Sequence, residues 1–141
     1  MTKEIQIDEY LKLSEQYYAV EEPTEIYDLE ERTFRFAKRV REWIKKVPKT
    51  ISNIEDCIQL TKCSGSVAAN YIEANNSISQ KDFGFRIKIC RKESKESKLF
   101  LRLIDCQDEI FLEEEKTILT QEAQELVLIF AAILRKLGEI K

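Results

Sequence analysis

The chain has no histidine, and its 141 residues include only three glycines, two prolines, one methionine and one tryptophan. The missing histidine removes the usual general base, the Ser-His and Cys-His nucleophile pairs, and zinc sites of the common Cys/His type. Four cysteines are present, Cys57, Cys63, Cys90 and Cys106, with no CxxC pair among them. They read either as reduced, partly buried small hydrophobes or as redox- or metal-linked thiols. Catalysis through carboxylates or lysines stays open, but no spacing singles out a pair, so no catalytic residue, metal ligand or cofactor is assigned. The longest apolar run, "LVLIFAAIL" at 126–134, falls short of the roughly 20 residues that span a bilayer. The opening "MTKEIQIDEY" lacks the apolar stretch of a signal peptide, which leads us to expect a cytoplasmic protein.

With so few glycines and prolines there are few places to turn, and abundant Lys, Glu, Leu and Ile point to long helices. A leader over 1–27 is acidic, with Glu4, Asp8, Glu9, Glu15, Glu21, Glu22 and Glu25 against Lys3 and Lys12. Its Ile7, Tyr10, Leu11, Ser14 and Tyr17 have amphipathic spacing and predict a short helix before Pro23. A helix is expected over 28–47, stopped by Pro48, with Leu29, Thr33, Phe36, Val40, Trp43 and Val47 on one seam. A second should start near Ser52 and run to Asn75; a third follows Ser77 and runs to Ile104. The seam of the third is Phe83, Ile87, Cys90, Ser94, Ser97, Leu101 and Ile104. The acidic "DCQDEIFLEEEK" reads as a connection, with a fourth helix over 120–137 ended by Gly138. Its seam is Leu119, Ala123, Leu126, Phe130, Ile133 and Leu137. The fold class is thus all-α: an antiparallel up-and-down four-helix bundle over 28–141 with an N-terminal helical extension.

The middle of the second helix, "KCSGSVAANYIEA" at 62–74, is built almost wholly of small and polar residues. Little bulk at Ser64, Ser66, Ala68, Ala69 and Asn70 lets a neighbouring backbone come close. Gly65 costs about 1 kcal/mol relative to Ala in a helix interior, which implies that something packs there. Ser66, Asn70 and Glu73 share one stripe at i, i+4 and i+7. That stripe reads as a structural network fixing register or a subunit contact, as the lining of a functional pocket, or as plain solvated surface.

The strings "YDLEERTFRFAKRVREWIKKVPK", "KCSGSVAANYIEANNSISQKDF" and "IKICRKESKESKLFLRLI" resemble the four-helix bundle proteins encoded in intervening sequences of bacterial large-subunit ribosomal RNA. The resemblance covers about residues 27–137. Its most specific pieces are the Ser-Gly-x-Ser-(Ile/Val)-x-Ala-Asn-Tyr-x-Glu-Ala core and the Lys-Glu-(Ala/Ser)-x-Glu-(Thr/Ser) run. It implies an up-and-down bundle that assembles into a ring, typically a pentamer, and it does not imply an enzyme. A related branch contains the accessory protein of diversity-generating retroelements, a basic pentameric barrel that partners a reverse transcriptase and binds nucleic acid. This chain departs from the pattern at Lys62 and Cys63, where an arginine often precedes the Ser-Gly, and at Phe100, where Trp is usual. The acidic leader is a further addition, and it weakens a direct transfer of nucleic-acid binding.

The net charge of −3 conceals segregation. Lys88, Arg91, Lys95, Lys98 and Arg102 recur at three, four, three and four residues, a basic stripe about 21 Å long at helical rise. The first helix carries Arg32, Arg35, Arg39, Lys46 and Lys49, interrupted by Glu42. Two readings of the third-helix stripe stand: a surface for nucleic acid or an acidic protein, or cations that are solvated or paired within or between subunits. Asp108, Glu109, Glu113, Glu114 and Glu115 are the acids available for such pairing. No aromatic residue alternates with the stripe, so stacking on single strands and sequence-specific recognition are not supported.

The expected function is a non-enzymatic homo-oligomeric scaffold whose partner is RNA or a nucleic-acid-bearing protein, with no small-molecule substrate and no membrane. The alternative is a structural or protein-regulatory oligomer in which the acidic leader occupies the basic groove. An enzyme acting through Glu73, Glu93 or Glu96 is the remaining class.

Overall fold

Every helix among the described residues starts at a side-chain oxygen. The computed structural model describes residues 28–141, and the leader with its expected helix lies outside the described residues. Asp28 accepts the Glu31 amide at 2.7 Å and opens α1, Leu29–Ile44. Thr50 accepts the Asn53 amide at 3.2 Å and opens α2, Ile51–Asn75. Ser79 caps α3, Gln80–Leu103, through the Asp82 amide. Glu109 caps α4, Ile110–Lys136, through the Leu112 amide at 2.8 Å. Each cap satisfies an amide that the first helical turn leaves without a partner.

Three starts differ from the sequence expectation. Thr50 rather than Ser52 caps α2, and Ser79 rather than Ser77 caps α3; the Ser77 hydroxyl instead donates to the Glu73 carbonyl. The largest difference is at α4, which begins at Ile110, so most of the acidic run read as a connection is helix. Carboxylates in a first turn sit favourably against the positive end of the helix dipole, and Glu109 and Glu113 are placed there. The actual turn is short, and it reverses at Gln107 and Asp108, both in the left-handed region at φ 52° and 60°.

The protein is all-helical over the described residues, with four helices packed against one another and no strand. Each helix packs on the next, and α4 returns to α1. Two cross-helix bonds fix the directions. Asn53, at the start of α2, donates to the Asp105 carbonyl at 2.8 Å and accepts the Asp105 amide at 3.0 Å, just beyond the end of α3. Trp43, near the end of α1, donates its indole N–H to the Leu112 carbonyl at the start of α4. The predicted seams of the first, third and fourth helices are in the core, including Phe36, Val40 and Trp43, Ile87, Cys90 and Leu101, and Leu119, Leu126 and Phe130; α2, for which no apolar seam was expected, adds Leu60, Val67 and Tyr71. By length and composition α4 could cross a membrane, but the apolar side chains that give it that character fill this core.

Small residues set the α2–α3 distance. Ser94 and Ser97 are fully buried, and their hydroxyls are satisfied by their own helix, at the carbonyls of Cys90 and Glu93, both at 2.8 Å. Cys63 Sγ lies 3.3 Å from the Ser97 hydroxyl, and Cys90 Sγ lies 3.5 Å from the Val67 carbonyl oxygen. Gly65 serves a different neighbour. A Cβ there would come within 2.9 Å of Arg41 Nη2, and Arg41 bridges α1 to α2 through the carbonyls of Ala37 and Thr61.

Asn53 is buried and also donates to the Pro48 carbonyl at 2.9 Å, so one amide ties the ends of three elements. Truncating it leaves the Asp105 N–H and the Pro48 and Asp105 carbonyls without this partner. Asn53→Ala is expected to lower unfolding stability by about 2–3 kcal/mol in urea titration, with Ser52→Ala near neutral. Equal, small losses for both variants would show that the link contributes little.

Candidate polyanion groove

The α2–α3 seam decides where the basic stripe points. With Cys90, Ser94 and Ser97 turned into the bundle, residues one position further round α3 fall on its α4 side. Lys98 Nζ donates to Gln124 Oε1 at 2.8 Å, and Lys88 Nζ pairs with Glu139 Oε2 at 2.8 Å. At the far end Lys116 of α4 donates to the carbonyls of Ile104 and Arg102, at 2.6 and 3.3 Å. Lys88, Lys95 and Arg102 are exposed, whereas Arg91 and Lys98 are half-buried. Arg91 Nε is buried and has no hydrogen-bond partner among the described residues.

The opposite wall of this groove carries no acid along most of its length. Lys116, Thr120, Gln124, Ala131 and Arg135 follow one face of α4, and none is a carboxylate. Three acids of α4, Glu115, Glu122 and Glu125, turn to α1 instead. Arg32 is held by Glu122, with Nε to Oε2 at 2.8 Å, and by Glu125 at 3.2 Å. Arg39 is held in bidentate fashion by Glu115, with Nη2 to Oε1 at 2.8 Å. Arg35 pairs with Glu31, and Lys45 with Glu42.

The two basic rows therefore differ in kind. Much of the α1 row is answered by carboxylates within the chain. Of the five stripe cations on α3, only Lys88 has an ion-pair partner among the described residues. Of the five acids expected to be available for pairing, Glu115 is taken by Arg39 and Glu109 by the α4 cap. The acid that does reach the stripe, Glu139, carries no periodic signal. It sits beyond the stop at Gly138, where only the folded chain brings it to α3.

The polar stripe of α2 is divided. Asn70 donates to the Ser66 carbonyl and hydroxyl, both at 2.9 Å, and accepts from Arg86 Nη1 of α3 at 3.0 Å. Glu73 is exposed and takes no part in this chain. Arg86 was not singled out by the sequence, although its place one helix away at the matching height is what completes the link.

Two carboxylates, Glu93 and Glu96, stand near each other on α3, away from the basic groove. Glu93 is only 15% exposed and has Lys92 at 3.8 Å. Burial first, then the neighbouring Glu96, push its carboxyl above the ordinary carboxylate range, while Lys92 pulls the other way. All four cysteines are free, three buried and Cys57 half-buried; desolvation raises Cys57, Cys63 and Cys106, and Cys90 is pushed up to about 12. Thiolate chemistry at neutral pH is thereby disfavoured at each.

No protein-family model matches the chain, and no curated protein sequence does. Among solved structures the chain is similar to that of a protein of unknown function from the S23 ribosomal protein family of Bacteroides thetaiotaomicron. The TM-score is 0.64 at 21% identity, covering 75% of this chain and 97% of that one. At that identity the likeness speaks to the fold.

Glu93 yields a pH prediction. Its pKa is higher in the folded than in the unfolded chain, so its contribution to stability is fully present below about 4.3, the unfolded carboxylate value. It is lost as pH rises through the raised folded value. Glu93→Gln should therefore melt above the parent at pH 7, and the gap should close as pH falls toward 4. A gap that is constant with pH would place Glu93 in an unperturbed environment.

Proposed function

We propose that the protein is a non-enzymatic homo-oligomeric scaffold that binds the phosphate backbone of RNA along the α3–α4 groove. The observation that carries this reading is the asymmetry of α4: Glu115, Glu122 and Glu125 pair with the arginines of α1, while the edge toward α3 meets it with the Gln124 amide and the Lys116 ammonium. Like charges at i, i+3 and i+4 disfavour a helix by a few tenths of a kcal/mol per pair, and an external polyanion relieves that repulsion. A row of five cations without an aromatic residue suits backbone contact rather than base readout.

Assembly into a ring, with the up-and-down bundle as its unit, completes the proposal. In its favour are the resemblance to ribosomal-RNA-intervening-sequence proteins and a set of exposed apolar side chains on outward helix faces. Ile51, Ile54, Ile58 and Ile72 lie on α2, with Phe34 on α1. Patches of that kind on a soluble domain mark contact surfaces. In a ring the grooves would act together, so a weak field per subunit is multiplied.

The test is binding of a labelled structured RNA across salt, with oligomer mass recorded on the same samples. The full chain should bind with a log–log salt slope of about −3 to −4 for five cations with one already paired. Reversing Lys88, Lys95 and Lys98 to Glu should cost at least tenfold in affinity at about 0.15 M salt without changing the mass. An intact oligomer that fails to bind would leave the protein-directed or structural role.

A further inference from the structure

The C-terminal turn places one acid on the basic groove by several independent contacts. Gly138, at φ 76°, takes the left-handed conformation that closes α4, with the Gly138 amide on the Arg135 carbonyl and the Glu139 amide on the Leu134 carbonyl at 2.9 Å. Ile140 then packs against the core, which anchors the tail on its far side. Between these two fixings the Glu139 side chain lies against Gly84 of α3, its atoms 3.5–3.7 Å from where a Cβ would stand. Its carboxylate meets Lys88 at 2.8 Å, with both side chains partly in water, Lys88 at 50% and Glu139 at 37% exposed.

The geometry points to Glu139 as a built-in competitor for the groove: its carboxylate occupies the position that a backbone phosphate takes on Lys88, so polyanion binding must displace the C-terminal turn. This rests on the polyanion reading of the α3–α4 groove. A free surface lysine releases a counterion when a phosphate arrives, which is the source of salt-dependent binding. Lys88 is already answered, so a phosphate arriving there displaces a tethered carboxylate and releases no salt ion. The pair is partly exposed and therefore weak enough to exchange. The consequence is a groove with four immediately available cations and a fifth that engages only when the turn lifts.

The experiment uses the full-length protein and a labelled RNA hairpin. Four forms are titrated across salt: the parent, Glu139→Gln, Lys88→Gln and the double variant. Glu139→Gln should tighten binding by about two- to fivefold at low salt, from the loss of one partly exposed ion pair. It should also steepen the salt slope by about 0.7–0.9, one additional phosphate contact. On the Lys88→Gln background the same change should do neither, because the position it competes for is gone. Equal affinity and slope for the parent and Glu139→Gln would overturn the competitor role while leaving the groove reading intact. A gain that persists without Lys88 would also overturn it, since a general field effect then suffices. Absence of binding by both the parent and Glu139→Gln would overturn the groove reading, and the inference with it.

Discussion

The close seam between α2 and α3 is the constraint on which the surface chemistry depends. Ser94 and Ser97 fill their hydrogen-bonding needs inside α3, and Cys63 and Cys90 meet the facing helix as small groups, so the two helices can approach. That approach fixes the rotation of α3 about its axis. Once Cys90, Ser94 and Ser97 face inward, Lys88, Arg91, Lys95, Lys98 and Arg102 must face α4. Bulkier residues at these seam positions would force the helices apart and free α3 to turn. The row of cations thus owes its direction to uncharged residues on the other side of the helix.

A second consequence follows on α4, which serves two neighbours of unlike chemistry. Its α1-facing edge carries Glu115, Glu122 and Glu125, and the arginines of α1 are gathered onto them. Its α3-facing edge carries Lys116 and Gln124, with Thr120 between them at the same helical spacing. A chain with a net charge of −3 can therefore present a cationic groove, because its acids are committed elsewhere or lie on other faces. Net charge describes solubility and long-range field; it does not describe a groove.

Much of this was legible in the sequence. The α1 and α3 seams repeat every three or four residues and are buried as that period requires, down to Thr33 and Ser97. The stripe on α3 was equally plain. Helix starts were less so, because Ser52 and Ser77 offer the same capping chemistry as Thr50 and Ser79, and only the tertiary contact of Asn53 with Asp105 selects between the first two. The acidic 113–115 run was misjudged because charge density suggests a solvated connection, whereas Glu109 and the helix dipole favour a helix start there. The partners of the stripe were beyond reach: Gln124 and Glu139 lie 26 and 51 positions from the lysines they meet, and no local period links them. Within the α2 stripe, Asn70 bonds Ser66 directly and accepts from Arg86 of α3, but Glu73 lies a turn too far and faces solvent.

The account turns on which face of the bundle meets the polyanion, and lysine-reactivity footprinting of the full chain, free and with saturating RNA, measures that directly. The groove account predicts protection of Lys95 and Lys98, with Lys38 of α1 and Lys45 and Lys46 at its C-terminal end reacting equally in both states. Protection concentrated on the α1 lysines, or spread evenly over the two helices, would contradict it.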